Sequence, residues 1–313
     1  MLPLLYPGED VPRQIIEDFE RAPIPELHKH VFRWTKRFVA QSWQLAGRDV
    51  QSLREAGLSD SDIVSWAQIA CLQTWWVMSA DGGGIPLEGD AVVGPVVGGR
   101  RENYEAVPEG RTAATLGQSA APRPRPSSGL CWVDVDESGE AYREAAAWAR
   151  ERYGFVPNLL RAVSLRPEIY PRHVLALELL ERPQSASLSP RQHAMVRALV
   201  SALNRCEYSR ETTRALLDRV ADAALYARVA GDYTRYSWEP SDRAILDFAT
   251  KMARNHYKVT EKDAISLREA GLDDEAYVDV LNTVAIQTSL DRLANSLGVV
   301  PDSEPIVRPP SAD

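Results

Sequence analysis

The chain has 313 residues, of which 44% are hydrophobic and 26% charged, and its formal net charge is −8. That length allows one large or two ordinary domains with an apolar core. The negative balance argues against a nucleic-acid backbone as partner, and no run approaches the roughly eighteen apolar residues of a membrane span.

In chain order, residues from Ile15 to Gly84 are predicted to be helical. Leu27 to Leu45 places Val31, Trp34, Phe38, Ser42 and Leu45 on one stripe. A short helix from Val50 to Ala56 stops at Gly57. Ser59, with Asp62 three residues on, is the N-cap pattern that opens a long helix to about Ala80. Ile63, Trp66, Ala67, Ile69, Ala70, Leu72, Trp75, Val77 and Met78 make that helix apolar nearly all round, which predicts a central position. Residues 86–130 lie in a stretch rich in Gly, Pro and Ser and are predicted to be a linker. Its Pro122 to Pro126 run, PRPRP, could serve as a polyproline ligand.

From Cys131 onward the helices resume. Tyr142 to Tyr153 ends at Gly154, Pro157 to Val163 is short, and Pro167 to Leu180 follows. Ser189-Pro190 opens the next helix, with Met195, Val196, Leu199, Val200 and Leu203 at helical spacing, and Asn204-Arg205 breaks it. Cys206 begins another helix, whose inner face would be Tyr208, Leu216, Leu217 and Val220. Ser241 to Asn255, Glu261 to Ala270 and Asp273 to Leu297 complete the set. Period-two alternation is confined to CWVDV at Cys131, so the fold is expected to be all-α. The proline-bearing tail, residues 301–313, is expected to be disordered.

One internal repeat stands out. DVQSLREAGLSDSDIVSWAQIACLQT (Asp49 to Thr74) matches DAISLREAGLDDEAYVDVLNTVAIQT (Asp263 to Thr288) at a constant offset of 214. SLREAGL is identical in both, and Trp34 to Trp43 corresponds loosely to Phe248 to Tyr257. Residues 1–85 therefore read as a degenerate half of the helical domain at 131–300, without a counterpart of the Cys206 stretch. About eighty residues bury too little apolar surface to stand alone. This half should pack on the C-terminal domain, of its own chain or of a neighbouring one, with Trp66, Trp75 and Trp76 as anchors.

SALNRCEY around Cys206, YGFVPNLLRAVSLRPE from Tyr153 to Glu168 and RAILDFATK from Arg243 to Lys251 together resemble the carboxymuconolactone decarboxylase and alkylhydroperoxidase D superfamily, in its peroxidase-related branch. The resemblance spans roughly Trp132 to Val300. It implies an all-α fold, oxidoreductase ancestry and a tendency to form homo-oligomers. In that branch a glutamate stands twelve positions before the first cysteine, a second cysteine three after it, and a histidine four further on. Here those positions hold Ala194, Cys206, Ser209 and Thr213. Disulfide-linked turnover needs a second sulfur and a proton relay, so the resemblance implies a degenerate CxxC site.

The remaining candidates are Cys206, Tyr208, Ser209 and His193. A thiol in the first turn of a helix is near unpaired backbone N–H groups that favour thiolate. His193, Arg197 and Ser201 share a helix face at i, i+4 and i+8, and His193 could act as a general base, although a histidine in a first helical turn is more commonly solvated. Arg197, Trp75 and Trp76 could wall a pocket for a small organic molecule. Asp291-Arg292 and Arg268-Glu269 read as surface charges.

No metal site is expected: His28 and His30 are two apart, and His173 and His256 have no companions. No glycine-rich phosphate loop follows a strand, so no cofactor is expected. The odd cysteine count and an N-terminus without a basic lead suit the cytoplasm. Arginine far outnumbers lysine, which suits a GC-rich bacterial genome.

Overall fold

The computed structural model describes residues 10–85, 129–172, 174–175 and 187–304. The predicted linker at 86–128 with its PRPRP run, His173, much of the Pro167 to Leu180 helix, and residues 305–313 lie outside the described residues. Among the described residues there are helices and turns and no strand.

The N-terminal unit holds α1 (Val11–Asp18), α2 (Glu26–Gln41), a 3-10 turn (Ser42–Gln44), α3 (Gly47–Glu55) and α4 (Asp60–Gly82). After residue 129 come α5 (Glu140–Tyr153), α6 (Asn158–Ala162), α7 (Pro190–Leu203), α8 (Glu207–Val220) and α9 (Ala223–Ala230). The chain closes with α10 (Pro240–Asn255), a 3-10 turn (His256–Lys258), α11 (Glu261–Glu269) and α12 (Asp274–Leu297).

The offset of 214 found in the sequence governs more of the structure than the matched letters suggest. α2, its 3-10 turn and α3 recur as α10, its turn and α11 with both bounds shifted by 214, and α4 and α12 start at equivalent positions. The local chemistry recurs too. Asp49 accepts from the Ala46 N–H (2.8 Å) and pairs with Arg37. Asp263 likewise accepts from the Thr260 N–H (2.7 Å) and pairs with Lys251 at 2.7 Å. Arg54–Asp60 and Arg268–Asp274 are both 2.7 Å pairs that bridge from one helix into the start of the next. Helix starts are thus fixed by acids meeting orphan N–H groups.

α4 packs along α12, and the contact is symmetric in the manner of a twofold interface. Ser42 Oγ accepts from Asn295 Nδ2 (3.2 Å) while His256 Nδ1 meets Asp81 Oδ2 (2.7 Å). These are the same two repeat positions with their roles exchanged between the halves, as an isologous interface requires. The N-terminal unit therefore packs on the C-terminal helices of its own chain. One core joins Trp34, Phe38, Ile63 and Cys71 to Leu160, Tyr208, Leu293 and Leu297, and Trp66 and Trp75 pack against it. Trp76 is 57% exposed, which corrects that expectation: it points from the side of α4 opposite the buried Cys71 and Met78 stripe.

Three further expectations change. Residues 129–133 belong to the folded body: Leu130 and Cys131 are buried, and the Leu130 carbonyl accepts from the Val300 N–H at 2.9 Å. The first residues of the predicted disordered tail are tied down as well, since Asp302 Oδ1 accepts from the Asn158 N–H at 2.6 Å. Val220 is 39% exposed rather than inward, because α8 ends there.

Candidate functional site

α7 begins as the sequence predicts. Ser189 Oγ accepts from the Gln192 N–H and Gln192 Oε1 accepts from the Ser189 N–H, with Pro190 in the first turn. It ends at Leu203, where Arg205 takes a left-handed conformation (φ 50°) and turns the chain into α8. That turn makes Cys206 the N-cap of α8.

α7 lies on α12 through a ladder of side chains, each rung joining residues 90 apart. His193 Nδ1 meets Thr283 Oγ1 at 3.2 Å, Arg197 Nε donates to Gln287 Oε1 at 2.9 Å, and Ser201 Oγ donates to Asp291 Oδ1 at 3.3 Å. The face formed by His193, Arg197 and Ser201 is therefore real. Its environment is the reverse of the expected solvated one: His193 is 1% exposed, because the face points at α12.

The ladder ends in a polar node. Asp291 is fully buried. Gln287 Nε2 donates to its Oδ1 (2.8 Å), Asn204 Nδ2 to its Oδ2 (2.9 Å), and the Ser209 side chain is also hydrogen-bonded to it. Burial pushes its carboxyl above the usual range, while the hydroxyl and amide donors pull it back. Isolated buried charge is costly, and a carboxyl escapes that cost by holding its proton or gathering donors. Asp291 read from sequence as a surface charge, and that reading is overturned. The available signal was its spacing four residues after Gln287 on a helix apolar on its other faces. A carboxylate on an all-round buried helix demands partners.

Cys206 reaches the node at one remove. Its Sγ is 3.5 Å from Ser209 Oγ, and both residues are buried. Thiol, hydroxyl and acid thus form one connected chain, Cys206–Ser209–Asp291. Ala194 is buried among apolar neighbours. Thr213 is fully buried and donates to the Arg210 carbonyl of its own helix. The acid of this site therefore comes from α12, not from α7.

The other candidates sit apart. The Tyr208 hydroxyl accepts from the Leu159 N–H (3.3 Å) and is hydrogen-bonded to Tyr170 and Asp302. Burial raises both tyrosines well above their usual value and pushes Asp302 up to about 6. Trp75 is half-buried between the two cores and Trp76 faces outward, so together they wall no common pocket with Cys206. Cys71 and Cys131 are buried thiols, pushed up to about 12 and about 11 by burial. No disulfide joins any of the three cysteines. Among the described residues no group of three or more His, Cys, Asp or Glu is placed to hold a metal ion, and no helix is long and apolar enough to cross a membrane.

This arrangement of helices is found in solved structures. An uncharacterized peroxidase-related protein from Silicibacter sp. TM1040 matches 58% of this chain and 96% of its own, with TM-score 0.51 and 22% identity. An alkylhydroperoxidase D core, also an uncharacterized peroxidase-related protein, from Ralstonia eutropha JMP134, matches 57% of this chain and 95% of its own, with TM-score 0.50 and 26% identity. The chain has the alkylhydroperoxidase D fold. The resemblance read around Cys206 is borne out to the superfamily and its peroxidase-related branch. No family model and no curated protein matches the sequence. Within the alkylhydroperoxidase D fold, Cys206 and Ser209 lie at the α7–α8 junction, where the sequence resemblance sets the dithiol, and Asp291 reaches them from α12.

Proposed function

We propose that this protein is a divergent, peroxidase-related enzyme that acts on a small organic hydroperoxide through one thiol, Cys206, without a resolving cysteine. The observation that carries the reading is the connection of the Cys206 thiol through Ser209 to the buried Asp291 carboxyl. In the reaction the thiol proton passes through the Ser209 hydroxyl to Asp291 carboxylate. The thiolate attacks the terminal peroxide oxygen, so that an S–O bond forms as the O–O bond breaks. Asp291 returns the proton to the departing alkoxide, which leaves as an alcohol and leaves a sulfenic acid on Cys206. Two equivalents of an external thiol reduce the sulfenic acid to thiol and water and are themselves joined as a disulfide. In the same reading, residues 1–85 are a degenerate half-repeat, supported by the shared element bounds.

The test is consumption of an alkyl hydroperoxide in the presence of a monothiol. Wild type should turn over, Cys206→Ala should fall to background, and Asp291→Asn should be slowed about 10²–10⁴-fold, the range of general acid–base assistance. Equal rates for wild type and Cys206→Ala would remove the reading. One observation favours a second reading, a catalytically silent scaffold or partner subunit of an active relative. Cys206 is only 2% exposed and Asp291 fully buried. A scaffold would show no hydroperoxide turnover in any variant and no alkylation of Cys206 in the folded state.

A further inference from the structure

The polar node at Asp291 has four donors, Ser209, Asn204, Gln287 and Ser201, and three of them can reverse. Ser201 and Ser209 are hydroxyls, which donate or accept as the O–H turns. The Asn204 amide can present either end, since its second partner, Thr288 Oγ1 at 3.4 Å, is also a hydroxyl. Gln287 cannot reverse. Its Oε1 lies 2.9 Å from Arg197 Nε, and a guanidinium has donors and no acceptor, so the amide oxygen must face Arg197. The Gln287 Nε2, 2.8 Å from Asp291 Oδ1, is then compelled to donate. A locked N–H bonds a carboxylate about twice as strongly as a neutral carbonyl and shuts Oδ1 to a proton, so it favours the charged form.

We propose that Arg197 is a positioning residue for the Cys206 chemistry: through the Gln287 amide it holds Asp291 as the carboxylate that takes the thiol proton. Burial opposes that form, and Gln287 is among the donors that pull the carboxyl back. The other charged or titratable groups around the node have partners of their own. His193 meets Thr283 two rungs away, Arg205 lies over the Trp43 ring at 5.1 Å, and Arg292 donates to Thr74 Oγ1 of α4 at 3.4 Å. Cys71 of α4 is hydrogen-bonded to Ser289, and Cys206 reaches Asp291 through Ser209. The role of Arg197 in turnover rests on the one-thiol reading given above, whereas its hold on the charge of Asp291 does not.

Infrared spectra of the full chain, with those of Asp291→Asn subtracted, read the C=O band of protonated Asp291 against pH without any turnover. Arg197→Met leaves Gln287 able to turn its oxygen to Asp291. It should raise the titration by about one to two pH units, the size of one hydrogen bond to a charged group. Arg197→Lys keeps a cation with donors only and should stay near wild type. In a Gln287→Leu background Arg197→Met should shift nothing further, because the amide that carries the effect is gone. In hydroperoxide turnover the acid limb of the rate–pH profile should move up by as many pH units as the band. A titration that ignores Arg197→Met, or that moves as far in the Gln287→Leu background, would overturn the proposal. Should Arg197→Met lose its helical spectrum, Arg197→Gln, which accepts as well as donates, takes its place with the same expected shift. Band shifts in a protein with no hydroperoxide turnover would keep Arg197 as the setter of the Asp291 charge and remove the one-thiol reading instead.

Discussion

α4 and α12 begin with equivalent residues, are entered by the same arginine–aspartate bridge, and end before equivalent left-handed glycines, Gly84 and Gly298. Their inner faces pack on each other. Their outer faces have gone opposite ways: α12 carries a buried polar row under α7, and α4 carries an exposed apolar one. Local code therefore fixes where these helices start and stop, while the element laid over them decides whether the third face holds chemistry. Substitution at equivalent positions can break that contrast. Asp291→Ala would strand the Ser201, Ser209, Asn204 and Gln287 donors in the core, and each lost partner of a buried group costs about 1–3 kcal/mol. We expect a net loss of about 3–5 kcal/mol after relaxation, measured by urea unfolding. Val77→Ala, at the equivalent position on α4, should stay within about 0.5 kcal/mol at concentrations too low for association. Similar costs at the two sites would mean that the Asp291 node does not hold α7 on α12.

The closing glycines give a second contrast. Gly84 and Gly298 both have positive φ (60° and 66°), so a side chain at either one is strained. A Cβ at Gly84 would meet nothing within 4 Å, whereas at Gly298 it would run into the Trp132 ring. The Trp132 backbone N–H donates to the Leu297 carbonyl at 2.8 Å, which keeps the residue beside Gly298. Gly84→Ala should cost about 1 kcal/mol from backbone strain alone. Gly298→Ala adds overpacking and should cost about 2–4 kcal/mol. Equal melting shifts would show that Trp132 moves aside freely.

Much of this architecture was legible in the sequence because it is written locally. Ser59 with Asp62, Ser189 with Gln192, and the SLREAGL repeat announce caps and turns through neighbours a few residues apart. The Cys206 stretch identified the fold, and the replacements at Ala194, Ser209 and Thr213 were plain in the letters. Asp291 was not, because nothing within its own helix says that Asn204, Ser201 and Ser209 will converge on it. Those partners come from α7, its C-terminal cap and α8, more than eighty residues away. Trp76 failed for the mirror-image reason. An apolar residue on a helix that looks buried on every side is assigned to the core unless one knows that no second helix covers that side.

Asp302 offers a weaker effect with a definite sign. Its carboxyl is pushed up to about 6 by burial, against the opposing pull of the Asn158 N–H, Tyr208 and nearby Arg161. A group held protonated more tightly in the folded chain stabilises it below the unfolded value of 3.8, and that contribution is lost as pH rises through about 6. Asp291, also raised, acts in the same direction, whereas Asp60, lowered chiefly by Arg54, acts in the opposite one. Wild type should therefore lose stability relative to Asp302→Asn between pH 4 and 6, by no more than about 1.4 kcal/mol per pH unit. Parallel stability curves for the two proteins over that window would contradict the assignment.

The smallest expected difference tests the repeat itself. Arg54 and Arg268 occupy equivalent positions in SLREAGL and make equivalent bridges. Arg54, however, also donates to the Trp132 carbonyl at 2.8 Å, and its partner Asp60 is only 10% exposed and accepts from the Asp134 N–H. It thereby ties the N-terminal unit to the segment that closes over α12. The Arg268–Asp274 pair is 50% and 74% exposed, so salt and water screen it. Arg54→Ala should cost about 1–2 kcal/mol, as expected for a lost charge-assisted fork with a further backbone acceptor. Arg268→Ala should leave the urea midpoint where it was. If the two variants unfold together, the bridge is a local helix-entry device in both halves and the link through Trp132 contributes nothing. If only Arg54→Ala shifts, the same seven letters have been put to two uses, and what separates them is the neighbour that Arg54 meets in space.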